Sequence, residues 1–484
     1  GNVTANGANA GINVASNTGG TVNFSGASKS LTTTTGAAVT LATNTGATIN
    51  FTGGGLAITT TSGASYKATG GATAITVQGT GNTISSSTGI ALEVTSTTIG
   101  ASGLTFQSIA ANGAANGIVL NTTGSSGGLT VTGTGTTDGS GGTIQNTSGR
   151  GAAFISTAAI SLSNMNFTSA GTSDLDADNS GLSTGDNLAT NAAIHLQTVT
   201  GATLTNLNIT GGAEQGINGN AVSNFALSNS SIVDVGNGPD EDGIHFFNMS
   251  GTSSITNTTF NCTVVTHNTL GAGGDDHINL QMQSGTLNLT ISGGSAINAN
   301  KGSGYLMGIR GTASATVTVD GVTSDNNFSG GIVIDTFDTA TSVIEIKNSS
   351  SVNNNDAISL SSNNGSTKFD IHDNVSFAGT DFVRINILKA AFSTTGTLEG
   401  KIRNNPIVVT DGQAADGIIV AQRGDGTLTV SITNNTFTYR GTQRPINILG
   451  GQDGSGQLNA TVTGNNIDMQ LDGTGNAVTG IFAQ

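Results

Sequence analysis

The chain has 484 residues, 73 of them Gly and 3 Pro, with 35% hydrophobic, 9% charged and 4% aromatic residues. Low charge, scarce Pro and many β-branched residues exclude a disordered chain, and the bulk of Gly, Thr, Asn and Ser, all weak helix formers, excludes a long helical protein. With 14 Lys plus Arg against 29 Asp plus Glu the net charge is −15, which repels nucleic acid and anionic membrane and leaves cations, neutral polysaccharides and proteins as partners.

The first elements repeat. Gly11 onward reads GINVASNTGGTVNFSGASKSLTTTTG and Ala38 onward reads AVTLATNTGATINFTGGGLAITTTSG. Ile12 aligns with Val39, Val14 with Leu41, Val22 with Ile49, Phe24 with Phe51 and Leu31 with Ile58, each pair 27 apart (39 − 12). Within each copy apolar residues alternate with Thr or Asn, the period-2 pattern of a strand, so each copy holds about three short strands joined by Gly/Asn/Thr turns. Up to residue 137 the charged residues are Lys29, Lys67 and Glu93, and the acidic residues collect after that. Residues 1–137 are therefore expected to form nearly uncharged Thr/Gly-rich rungs. Residues 138–484 continue the same structure with acidic loops and insertions, as one continuous domain.

Downstream, a Gly-Ile type strand recurs at Ile118, Ile194, Ile217, Ile244, Ile278, Ile332, Ile358, Ile418 and Ile446. A second strand follows, as at Leu204–Ile209, Leu287–Ile291, Val317–Val319, Val343–Ile346, Leu428–Ile432 and Leu458–Val462. After it comes an Asn-Asn corner, at Asn326-Asn327, Asn404-Asn405, Asn434-Asn435 and Asn465-Asn466. Strands returning at a fixed period without helices between them describe a parallel β-solenoid, all-β, with roughly 16 or 17 rungs of about 25–27 residues. Inward Ile, Val, Leu and Phe stack as columns, corner Asn side chains form amide ladders, and Gly supplies positive φ. Right-handed winding is the default for parallel crossovers.

The Gly-Ile strand, the segments SGTLNLTISG and GDGTLTVSITNNTF and the Asn-Asn corners resemble bacterial right-handed parallel β-helix repeat proteins. These include passenger regions of autotransporter-like exoproteins and large surface adhesins. The resemblance covers nearly the whole chain and implies an extracellular or cell-surface protein. The same fold also carries pectate-lyase-like and glycosidase activities. One cysteine, Cys262, excludes an intramolecular disulfide framework. The chain starts at Gly1, lacks a signal-peptide-like start and has no apolar run long enough to span a membrane, as expected of a segment of something longer.

Three places could carry chemistry. Asp174, Asp176, Asp178, Ser180 and Asp186 set oxygens at alternate positions in one acidic insertion, resembling the start of an EF-hand-type calcium loop. It departs from that pattern, with Gly181 at the eighth position and Gly185 at the twelfth, and the bland alternative is a solvated acidic loop. Next, the residues following the inward Ile, namely His195, Asn218, His245 and Asn279, are expected to face outward on consecutive rungs. Glu214, Asp240, Glu241, Asp242, Asp275 and Asp276 lead into these strands. Carboxylates on adjacent rungs lie ~5 Å apart, within the range of paired acids in glycosidases, which makes Glu214, Asp242, His245 and Asp276 the catalytic candidates. Arg310 is the nearest basic group expected at that face. Against catalysis, Asp356 and Asp416 occupy the same place without a His cluster, as turn residues do. The third, Arg423-Gly424-Asp425, spells an integrin-type tripeptide that is also ordinary turn chemistry.

The expectation is a non-enzymatic β-helical stalk or adhesin segment whose partner is a carbohydrate or a cell-surface protein. A polysaccharide lyase or glycoside hydrolase is the first alternative. An end-to-end filament, joined through the unpaired edge of a last strand at Val478–Phe482, is the second.

Overall fold

The computed structural model describes residues 1–9, 11–173, 191–237, 241–263, 276–299, 302–378, 383–389, 395–410, 414–469 and 480–484. The fold is all-β, with no helix among the described residues, and forms a parallel β-solenoid of about 15 turns. Turn length varies, because some turns carry insertions. The step from Ile12 to its partner Val39 is 27 residues (39 − 12), but that from Ala152 to its partner Ile194 is 42 (194 − 152). The chain divides into two compact units, Gly1–Glu241 and Asp242–Gln484.

In the first unit one inward column runs Ile12, Val39, Tyr66, Leu92, Ile118, Ala152, Ile194 and Ile217, each in parallel register with the next. A rung alone cannot bury such residues, whereas stacking puts all eight almost wholly out of water. Phe24 and Phe51 stack on successive rungs with centroids 4.7 Å apart, as the 27-residue offset requires. On a second face Leu31, Ile58 and Ile84 align in the same way, flanked by exposed Thr32 and Thr59.

In the second unit the column is Ile244, Ile278, Tyr305, Ile332, Ile358, Ile385, Ile418, Ile446 and Ile481. The next strand of each turn alternates buried and outward residues, from Ser314–Asp320 through Thr341–Lys347, Ser366–His372 and Thr397–Arg403 to Thr427–Thr433. The final rung strand is Ile481–Ala483; residue 478, where its start was expected, is outside the described residues.

The Asn corners form the expected ladder. The Nδ2 groups of Asn374, Asn405 and Asn435 donate to Oδ1 of Asn405, Asn435 and Asn465 at 2.9, 3.0 and 3.0 Å. Each of these amides also donates to a strand carbonyl, as Asn435 does to Ile402 O at 3.0 Å. The residue before each ladder Asn holds positive φ, 58° at Asn404 and 56° at Asn434. Gly464 holds the same place before Asn465 at 67°, and Asn serves at the other two because it tolerates the left-handed region.

Candidate functional site

The residue two positions before the inward Ile has one recurring job. In the first unit Asn116 Oδ1 accepts the Arg150 backbone N–H at 2.9 Å. In the second unit Asp242 Oδ1 accepts the Asp276 N–H at 3.0 Å, Asp276 Oδ1 accepts the Ser303 N–H, and Asp416 Oδ1 accepts the Arg444 N–H at 2.9 Å. In every case the donor is the equivalent residue one rung on. A short polar side chain here ties each turn to the next, satisfying an amide that would otherwise be buried without a partner. The second carboxylate oxygen is used as well. Asp416 Oδ2 accepts Asn447 Nδ2 at 3.2 Å, Asp356 Oδ2 accepts Asn386 Nδ2 at 3.1 Å, and Asp242 Oδ2 lies 2.8 Å from His245 Nδ1.

The structure brings Asp242, His245 and Asp276 together. Burial first, and the charge of Asp242 second, push the Asp276 carboxyl well above the ordinary carboxylate range; its bond from Ser303 and the presence of His245 act the other way. An Asp–His pair beside a carboxyl whose pKa is raised is able to pass a proton. All three are nearly sealed, at 0%, 3% and 6% exposed. Glu214 belongs to the first unit and is also buried.

His195, Asn218, His245 and Asn279, expected to face outward, are all buried. Strand alternation predicts which side a residue leaves from, but not whether other chain covers that side. The residues leading into these strands, including Asn191, Glu214 and Gln215 in the first unit and Asp242 and Asp276 in the second, are buried too. Burial, then the charge of Arg150, hold the His195 imidazole down at about 3. In the second unit His277 Nε2 lies 2.7 Å from Ile297 O, and burial holds that ring down at about 4. Both histidines are neutral at physiological pH.

The Arg310 guanidinium lies 3.8 Å over the Phe337 ring. In the Arg423-Gly424-Asp425 tripeptide, Asp425 Oδ1 accepts both the backbone N–H and the hydroxyl of Ser455, at 2.8 and 3.0 Å. That is again a tie between turns. The proposed calcium ligands Asp174, Asp176, Asp178, Ser180 and Asp186, together with Asp240 and Asp275, lie outside the described residues. Among the described residues no group of three His, Cys, Asp or Glu is placed to hold a metal ion, and no helix is long and apolar enough to cross a membrane.

A different feature was not anticipated. A groove of about 600 Å³ crosses the outer face of the second unit from the strand Ser314–Asp320 to Gln457–Thr463, sharing no residue with the Asp242–His245–Asp276 cluster. Its walls are two columns of outward side chains. One runs Thr316, Val343, Lys368, Glu399 and Thr429, and the other Thr318, Glu345, Asp370, Lys401 and Ser431, in register across five rungs. At its middle Gly400 leaves a gap that the Phe369 ring fills from the neighbouring rung; a Cβ there would lie 2.4 Å from that ring.

Beside the groove the charges are paired. Arg403 binds Asp370 through Nε and Nη2 at 3.1 and 3.0 Å, while Lys347 Nζ and His372 Nε2 lie 2.8 and 3.2 Å from Glu345. The bond from Lys347 holds the Glu345 carboxyl below its ordinary range. The sequence does contain a signal for this face: three strands, Thr341–Lys347, Ser366–His372 and Thr397–Arg403, carry charges at outward positions that elsewhere hold mainly Thr, Ser and Asn.

Comparison with protein-family models, with curated proteins and with solved structures finds no match to this chain.

Proposed function

We propose that the chain is a non-enzymatic, extracellular β-helical stalk or adhesin segment of a bacterial surface or secreted exoprotein, which presents its outer faces to a partner. The observation that carries this reading is the shared geometry of the turn acids. Asp242 and Asp276 bond to the next rung's amide just as Asp416 and Asn116 do, in turns where no histidine stands beside them. Side chains whose oxygens hold the backbone together in a sealed environment serve the stack. A second reading, a polysaccharide lyase or glycoside hydrolase, has one observation in its favour: the Asp242–His245 pair beside Asp276, whose carboxyl burial pushes up.

Incubation of the purified chain with uronate polymers and with neutral polysaccharides separates the two. The scaffold reading expects chain lengths to stay unchanged. Shortened products that vanish in Asp276→Asn would overturn it in favour of the enzyme.

A further inference from the structure

We infer that the groove on the second unit is a binding site for a neutral linear polysaccharide, lying along the stacking direction across successive rungs. The inference rests on the binding-scaffold reading and adds to it a site and a ligand class.

The argument begins with what lines the groove. Its floor is the backbone of paired parallel strands, whose N–H and C=O groups are already engaged in the ladder. An extended peptide recognised by β-augmentation needs free backbone groups at a sheet edge, and this floor offers none. Recognition therefore falls to the side chains of the walls, which repeat every rung at about 4.8 Å. That spacing is close to the length of one pyranose unit in an extended glycan, so successive sugars meet equivalent positions on successive rungs.

The chemistry of the walls suits hydroxyl groups. Lys368 and Lys401 offer ammonium donors, Glu399 a carboxylate acceptor, and Thr316, Thr429 and Ser431 hydroxyls that both donate and accept. Among the described residues none of Lys368, Glu399 and Lys401 forms an ion pair, so these three remain available to a ligand. Glu345 and Asp370, by contrast, are held by Lys347, His372 and Arg403. Val343, half exposed at one wall, gives an apolar contact for the C–H face of a ring.

Charge decides between glycan classes. Two free cations are set against one free anion within the groove, on a chain whose net charge is −15. Mixed signs side by side oppose a polyanion along part of its length, and the whole-chain field opposes its approach. A neutral polyhydroxylated chain uses donors and acceptors alike and pays neither penalty.

The test is calorimetric titration of the full chain with neutral linear oligosaccharides about six sugars long, from amylose, cellulose, mannan and xylan, with oligogalacturonate and poly-glutamate for comparison. At least one neutral glycan is expected to bind, with little change between low and high salt. Lys368→Ala/Lys401→Ala and Glu399→Ala are each expected to weaken it by about tenfold or more, since each leaves hydroxyls without partners. Lys67→Ala, which removes a cation paired with Glu93 in the first unit, is expected to leave it unchanged. All these positions are on the surface, and unchanged melting of the variants establishes that they fold.

Failure of every neutral glycan to bind, binding indifferent to the groove variants, or tighter and salt-sensitive binding of either polyanion would each overturn the inference. These failures leave the scaffold reading standing. Cleavage of a bound oligosaccharide would overturn the scaffold reading while leaving the groove assignment intact.

Discussion

Replacing Asp276 by Ala and by Asn tests whether its carboxyl ties one turn to the next. Asp276→Ala leaves the Ser303 amide without its acceptor in a buried turn, whereas Asp276→Asn keeps a carbonyl oxygen in place and deletes only the ionisation. An unsatisfied buried donor costs about 1–3 kcal/mol, so the Ala variant is expected to lie below the Asn variant by that amount at every pH. The wild type adds a pH term. Its Asp276 carboxyl titrates higher in the native chain than in the unfolded chain, where Asp titrates near 3.9. Above about pH 3.9 the unfolded state has therefore lost a proton that the native state still holds. The unfolded state binds fewer protons, and native stability falls as pH rises until the native group also ionises.

Asp276→Asn has no such slope, so it is expected to gain on the wild type progressively as pH rises above about 4, until the native carboxyl ionises. Hydrogen exchange of the Ser303 amide and its neighbours is the suitable readout, because a chain with two compact units need not unfold in one transition. Equal protection in the Ala and Asn variants, or a gap between Asn variant and wild type that does not change with pH, would refute the reasoning.

The corner ladder makes its own prediction. Asn435→Ala removes bonds to Ile402 O, Asn465 Oδ1 and both amide groups of Asn405, and is expected to cost about 3–5 kcal/mol in exchange protection of the rungs around it. Exposed Asn459, 3.5 Å from Thr429, should cost almost nothing on the same change, and equal effects at the two sites would contradict the ladder's role. His277 predicts the opposite pH slope to Asp276. Its native value of about 4 lies below the 6.5 of the unfolded chain, so its contribution is present above 6.5 and is lost as pH falls toward 4. The loss amounts to about 3 kcal/mol and should be absent from the pH profile of His277→Phe unfolding, and an unchanged acid slope would show that the ring is not held neutral.

The stacking was legible because it is written locally and repeated. Ile12 and Val39, or Asn405 and Asn435, sit in like surroundings, and a constant offset makes them neighbours. Rungs were overlooked where one residue departs from the motif. Tyr305 replaces Ile after Gly304, and Ile385 follows Arg384 instead of Gly. The turn role of Asp416 was readable from its position, and Asp242 and Asp276 share it. The burial of His195, Asn218, His245 and Asn279 was not readable, because alternation fixes a direction and says nothing of the chain that covers it. The groove appears only once register is known. Lys368 and Glu399 are 31 residues apart in sequence (399 − 368) yet lie opposite each other on adjacent strands.

The most direct test of the account is to follow one labelled neutral polysaccharide through binding and chain length in the same incubation with the intact chain. The account predicts retention by the protein, loss of retention in Lys368→Ala/Lys401→Ala, and an unchanged distribution of chain lengths throughout. Progressive shortening of the polymer that stops in Asp276→Asn would contradict the scaffold reading and assign catalysis to the buried acids.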